Sequence, residues 1–412
     1  KSEIALRDAE IYGVFSNILA GNPFDRKVLD PYWKLLLLNQ FHDILPGSSI
    51  ERVHKEAVED FERIQKEAKR IAEECLSILT GPKEDSVTYF NSLSFDIDTL
   101  VELPEDFTAV ENKNKELVAV QRYNDKNYAR VQIPMFGSVS LKKSDENAKT
   151  YLSSETDTDA YVLENAFVRA EFNEYGEIVH LVDKKNGRTV SKGICNQIKM
   201  YKDIPTSWDN WDLDSSYKKM PVPLDQKAKI RKITGPLFQT LVIERKIHNS
   251  SYTQEVILKE HGPRIDFHTV VDWKESHKLL KVNFPVDIQT DEGLNEIQFG
   301  YIKRPNHMSR QYDQDRFEVS NQRWTALTEE NYGVAVLNDC KYGVSMEDNS
   351  INLTLLKSGL APDMNADKGI QEFTYSLYFW SGSFMNSPLI KEAYELNTVP
   401  FRVTGEKNMD SL

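Results

Sequence analysis

The sequence predicts a mainly β protein with an N-terminal α-helical bundle. A small β-sandwich should follow the bundle, and a large antiparallel β-sandwich should follow that. Three observations predict this class. Between Val53 and Leu79, apolar residues recur at alternating three- and four-residue spacings, the pattern of a long amphipathic helix. From Ser86 onward the period drops to two, in short apolar runs separated by polar turns. Gly81-Pro82 stands between the two regimes as a helix stop. The expected domains are a three-helix bundle over 1–82, a small sandwich over 85–150 and a large sandwich over 155–412.

The first helix carries Ala5, Ala9, Val14 and Ile18 near one stripe and should break at Gly21-Asn22-Pro23. A second, strongly apolar helix is expected over 31–45, with Asp30 as N-cap and Pro31 at its first position. Pro46-Gly47 should stop it, and Ser48 with Glu51 has capping-box spacing for the third helix. That helix should bury Val53, Ala57, Phe61, Ile64, Ala68, Ile71, Cys75 and Leu79. Three helices joined by short breaks suggest an antiparallel bundle. Short strands are expected around 87–90, 100–103, 117–120 and 129–133, and residues 143–158 read as a polar linker. Beyond 160, segments 166–172 and 177–183 alternate cleanly about the turn Asn173-Glu174-Tyr175-Gly176. Similar strands are expected near 241–247, 253–258, 264–273, 281–285, 333–337, 351–356 and 373–379, with helical patterns nearly absent.

Composition excludes several classes. The 412 residues are 40% hydrophobic and 28% charged, as in ordinary globular proteins. A net charge of −13 argues against a general nucleic-acid binder, which needs a cationic footprint. Cys75, Cys195 and Cys340 are odd in number and widely spaced, which disfavours a disulfide framework or a zinc ribbon. No apolar run approaches the ~20 residues of a membrane span, and a cytoplasmic location is expected.

Three stretches carry chemistry-bearing residues. Gln40-Phe41-His42-Asp43-Ile44-Leu45-Pro46-Gly47 puts a metal-ligand type beside a carboxylate at a sharp corner. On spacing alone, a lone histidine is more often structural than a ligand. Trp208-Asp209-Asn210-Trp211-Asp212, with Asp214 beyond, offers indoles that stack on sugar rings and carboxylates that accept sugar hydroxyls. One tryptophan in the core and the acids at the surface is an equally good reading. Asn338-Asp339-Cys340-Lys341 ends an apolar strand, where a simple turn closed by Gly343 competes with a place at a site rim. The remaining histidines show no ligand pairing and are simplest as structural residues.

The segment 40–49 in its helical context resembles glycoside hydrolase family 38, the metal-dependent α-mannosidases. The resemblance continues through Phe90-Asn91-Ser92-Leu93-Ser94, the hairpin around 182–188, the 208–212 loop, Gly300-Tyr301-Ile302-Lys303-Arg304-Pro305 and Arg316-Phe317-Glu318-Val319. It is most specific in the segment 332–343. The resemblance implies a β-sandwich of the supersandwich type. It also implies that His42 binds one divalent metal ion, zinc above others, and that Asp43, Trp208, Asp209, Trp211 and Asp339 contact substrate. The family carries its nucleophile, acid/base and most metal ligands on an N-terminal α/β barrel that these residues do not resemble. The expectation is therefore the C-terminal part of a retaining α-mannosidase, with no catalytic residue of its own, inactive alone and weak or lacking in metal binding. Its partners would be mannose-containing oligosaccharides and its own barrel, with no nucleic acid or membrane, and homo-oligomerisation is left open. The alternative is a stand-alone carbohydrate-binding β-sandwich that stacks sugars on its tryptophans. A sugar-epimerase reading would need a His and Glu pair inside the sandwich, and none is evident.

Overall fold

The computed structural model describes residues 1–81, 83–144, 150–156 and 161–411. Pro82 of the expected helix stop and parts of the expected linker lie outside the described residues. The chain forms two compact units: residues 1–153, 235–237 and 397–412 make the first, and 154–234 with 238–396 the second.

The first unit opens with α1 (Ser2–Ala20), α2 (Asp30–Asn39) and α3 (Glu51–Ser77). On α3 the three-and-four spacing holds from Ala57 through Ile64, Ala68, Ile71 and Cys75, all buried. On α1 the buried face is Leu6, Ala9, Tyr12 and Phe15, while Val14 and Ile18 are exposed. The expected stripe was rotated because α1 is apolar on several sides, so its pattern alone does not choose a face. Tyr12 chooses it: the ring lies edge-on to Phe15, Phe90 and Phe401, and its hydroxyl donates to the Phe90 carbonyl at 3.2 Å.

The second helix differs from expectation at both ends. Leu29 is the N-cap and Asp30 already lies inside α2, so Asp30 is not the cap. The helix ends at Asn39, six residues short of 45, and 40–47 continue as successive turns. Ile50, not Ser48, precedes α3, and the capping box does not form. The hydroxyls of Ser48 and Ser49 turn instead to the Asp43 carbonyl, at 3.5 and 2.6 Å.

Two small sheets complete this unit. One runs in the order Phe401–Thr404, Ser86–Phe90, Ser138–Lys143, Val110–Glu111, Leu117–Val118. The other runs Ile97–Glu102, Lys126–Ile133, Val120–Tyr123, Thr150–Leu152. Antiparallel pairing of Ser86–Phe90 with Phe401–Thr404 corrects the expectation that the large β region extends to 412. Val403 and Met409 lie in the same apolar cluster as the helices. The expected linker is corrected too: Thr150–Leu152 is a strand of this unit, and Ser154–Thr156 is already a strand of the next.

The second unit is dominated by a ten-stranded and a six-stranded sheet, with a four-stranded sheet carrying Val168–Phe172 and Ile178–Asp183. Tyr332–Asn338 is buried at every position, between Trp324–Thr328 and Gly369–Ser381. A continuous apolar run suits such a central strand. One apolar cluster, with Phe267, Trp273, Phe284 and Tyr375 among its largest members, joins the sheets. A further short helix, α4 (Leu389–Asn397), appears where no helix is expected from the sequence. It buries Leu389 and Ala393 against Trp324, Tyr378 and Trp380 of the large sheet. Among the described residues no helix is long and apolar enough to cross a membrane.

Candidate substrate-binding site

His42 and Asp43 sit on the turns after α2. The backbone there closes through Phe41 N to Leu38 O at 3.1 Å, Ile44 N to Phe41 O at 2.9 Å and Gly47 N to Ile44 O at 3.0 Å. Gly47 has φ +73°, a conformation that costs glycine nothing. Both side chains point into solvent, 70% and 51% exposed, with His42 Nε2 3.5 Å from Asp43 Oδ2. The His42 ring rests against Phe41 at 4.2 Å between centroids. This pair offers an imidazole and a carboxylate, and among the described residues no group of three metal-ligand side chains exists. One imidazole with one carboxylate does not fit a stable divalent site, which takes at least three protein ligands in the zinc enzymes.

The 208–212 loop belongs to the second unit and is built differently. Trp208 is 76% exposed at φ +54°, and Trp211 is 53% exposed. Trp211 N and Asp212 N both donate to Trp208 O at 2.8 Å, a tight turn that drives the two indoles outward. Asp209 pins the loop: its Oδ2 accepts from His277 Nε2 at 3.0 Å, Leu360 N at 2.6 Å and Ala361 N at 3.1 Å. Burial pushes its carboxyl pKa up, but the amides of Leu360 and Ala361 and the His277 imidazole outweigh burial and hold it below the usual aspartate value. Lys357 Nζ ties the Asp209 carbonyl, at 2.9 Å, to the buried Asp203 carboxylate, at 2.5 Å. Thr206 closes the far side, donating its N–H and hydroxyl to Asp214 Oδ2 at 2.9 and 2.7 Å.

Asn210 is buried, and neither polar atom of its side chain has a hydrogen-bond partner among the described residues. Its Oδ1 lies where a Cβ on Gly359 would stand, 1.9 Å away, so this packing requires glycine at 359. A left-handed tryptophan above an unsatisfied buried amide marks a strained loop.

Asp339 extends the pairing of the strand that precedes it: its N–H donates to Thr374 O at 3.0 Å, and its Oδ1 accepts from Thr374 N at 3.1 Å. Asn338 Oδ1 accepts from Lys341 N at 2.8 Å to close the turn. A cleft of about 320 Å³ in the first unit, floored by Val118, Val131, Leu141 and Met409, involves none of these residues.

The structure thus gathers Trp208, Asp209 and Trp211 on one loop with exposed indoles and a committed carboxylate. His42 and Asp43 form a separate exposed corner in the other unit. The residues missed by sequence reasoning are His277, Lys357 and Gly359, which hold the 208–212 loop from 68 or more positions away. Asp203-Ile204-Pro205 was the one nearby signal of a rigid loop.

With this geometry in place, comparison with known proteins places the chain. Residues 1–79 match the alpha mannosidase middle domain, and residues 163–365 match the glycosyl hydrolases family 38 C-terminal domain. The chain belongs to glycoside hydrolase family 38. It is 34% identical over 379 residues to alpha-mannosidase 2C1 of Homo sapiens, covering 90% of this chain and 35% of that protein. It is 28% identical over 460 residues to alpha-mannosidase G of Dictyostelium discoideum, covering 99% of this chain and 42% of that one. The chain therefore spans little more than a third of the length of these family 38 relatives. An alpha-mannosidase from Enterococcus faecalis V583 shares the fold at TM-score 0.81 and 17% identity, over all of this chain and 57% of that chain.

Proposed function

We propose that this chain is the substrate-holding portion of a retaining α-mannosidase that releases terminal α-linked mannose from oligosaccharides. The intact enzyme would use a carboxylate nucleophile and a carboxylic acid/base about 5 Å apart, passing through a glycosyl-enzyme intermediate. Those groups would come from a catalytic barrel outside the residues described here, so this chain alone should be inactive. Trp208 and Trp211 would stack on sugar rings, with Asp209 holding the loop that presents them, while Asp339 would stand at the rim beside the strand it extends. Asp43 would accept hydrogen bonds from sugar hydroxyls. His42 would supply one ligand to a divalent ion, zinc above others by the resemblance to the family, with the other ligands from the barrel. A cytoplasmic location fits the buried thiols of Cys75 and Cys195, the latter pushed up to about 12 by burial.

The observation that carries this reading is family 38 membership combined with outward-facing side chains at 42, 43, 208 and 211. The test is an α-mannoside hydrolysis assay with zinc or cobalt, run on this chain and on the same chain joined to its barrel. Activity confined to the longer protein and abolished by His42→Ala is the expected result. Metal-independent activity there, or full activity in His42→Ala, would falsify the metal role. The exposed indoles also favour a second reading, a binding module without catalysis. Saturable quenching of tryptophan fluorescence by mannose with this chain alone would support it.

A further inference from the structure

The segment Arg316-Phe317-Glu318-Val319 resembles the family in sequence, yet the substrate site leaves it unused. It meets the substrate loop at a buried charge pair. Residues 203–220 leave the six-stranded sheet after strand Gln197–Lys202 and return as Pro221–Val222, an edge strand paired with the one they left. Lys202 N donates to Met220 O at 2.9 Å, which closes this excursion at its base. Glu318 precedes Val319–Ser320, the opposite edge strand of the same sheet. The 3-10 turn Ser215–Lys219 and Glu318 therefore come from opposite edges and meet over Lys281 and Thr354, on two neighbouring strands between those edges.

The Tyr217 hydroxyl donates to Glu318 Oε1 at 2.6 Å. Lys281 Nζ pairs with the same oxygen and donates to Thr354 Oγ1 at 2.9 Å. The Lys281 and Glu318 side chains are only 4% and 14% exposed. Burial works against the Lys281 charge, and Glu318 acts the other way. The Tyr217 ring is packed too, edge-on to Tyr201 at 5.1 Å and beside Phe317 at 6.4 Å. Lys218 on the same turn pairs with Glu347. From Tyr217 the contacts run back toward the indoles. Tyr217 N donates to Asp214 O at 3.1 Å, and the Asp214 carboxylate holds Thr206, two residues before Trp208. A buried ion pair gains little over apolar residues of the same size, because desolvation offsets its attraction. What this pair supplies is direction: a fixed, charged acceptor for the tyrosine hydroxyl.

We propose that Tyr217, Glu318 and Lys281 are positioning residues for the substrate loop. They fix its C-terminal side, as Asp209 fixes it from within, and so hold both indoles preorganised for a sugar. This role rests on the reading of Trp208 and Trp211 as sugar-stacking residues.

The test is Tyr217→Phe, which deletes the hydroxyl and keeps both the ring and the ion pair. Glu318→Gln is less suitable, since it would leave Lys281 without its counter-charge. In the 412-residue chain, exchange of the Thr206, Trp211 and Asp212 amides is expected to speed up about tenfold in Tyr217→Phe, the worth of one hydrogen bond to a charged group. In the intact enzyme, KM for an α-mannoside should rise severalfold while kcat holds, because a loosened stacking surface binds substrate and transition state equally less well. Tyr201→Phe, the same change in the neighbouring ring, should move neither. Unchanged exchange in Tyr217→Phe overturns the tether, as would equal effects in Tyr201→Phe. Faster exchange with an unchanged KM overturns the positioning role. An intact wild type that does not hydrolyse α-mannosides would overturn the mannosidase reading instead, and exchange would still decide the tether.

Discussion

The 42–43 corner and the 208–212 loop carry similar residue types, an aromatic neighbour beside aspartate, yet they are held in opposite ways. At the corner the backbone turns do the holding and the side chains are left outside, with His42 resting on Phe41 and close to Asp43. In the loop the carboxylate is the fastener. Asp209 takes three donors while the indoles face water. The difference teaches that an aspartate in such a stretch is either left facing solvent or is the group that turns another residue outward. Hydrogen-bond partners decide which, and neither residue type nor spacing reveals it.

Breaking the fastener should give the largest effect. Asp209→Ala strands three donors and is expected to lower unfolding free energy by about 3 kcal/mol in denaturant titration. Because the Asp209 pKa is depressed in the fold, its contribution is complete above the ordinary aspartate value of about 3.9 and is lost as pH falls through the depressed value. The stability gap between the wild type and Asp209→Asn should therefore narrow on acidification below that range. A gap independent of pH would show that the carboxylate charge is not what pins the loop. Gly359→Ala comes next, at about 1–3 kcal/mol, because its Cβ would displace Asn210. A crystal structure of that variant with an unmoved 208–212 loop would contradict the packing argument.

Trp208→Gly has the opposite sign. Removing a side chain held at φ +54° should raise stability by up to about 1 kcal/mol while removing the most exposed indole. A loss of stability would mean that the tryptophan is supported by contacts and not strained. Asp43→Ala should be the smallest effect, under about 0.5 kcal/mol, since its carboxylate is exposed. The same substitution in the intact enzyme should reduce turnover of α-mannosides. A large stability loss with unchanged turnover would make the corner structural and erase the contrast with Asp209.

Parts of both regions were legible in advance. The α3 stripe was readable because it is long and strongly periodic, and the strand Tyr332–Asn338 because its apolar run is continuous, so one face or none is available to solvent. The 208–212 motif stood out for its indoles. The role of Asp209 was not legible, because two of its donors are backbone amides at 360 and 361, whose positions no side-chain pattern encodes. Strand Phe401–Thr404 was misplaced for a related reason: its partner Ser86–Phe90 lies more than 300 residues away, and a short alternating segment pairs with any compatible edge.

By itself, then, the sequence determined the period of each segment, and with it the helical opening, the β regions and the motifs that name the family. Those properties are local, set by side chains within a few residues of one another. Only the tertiary structure decided which face of α1 is buried, where α2 ends, which unit receives the last strand, and that Asp209 fastens while Asp43 faces outward. Each of these depends on groups brought together from distant positions, where burial and hydrogen-bond satisfaction choose among alternatives that local pattern leaves equal.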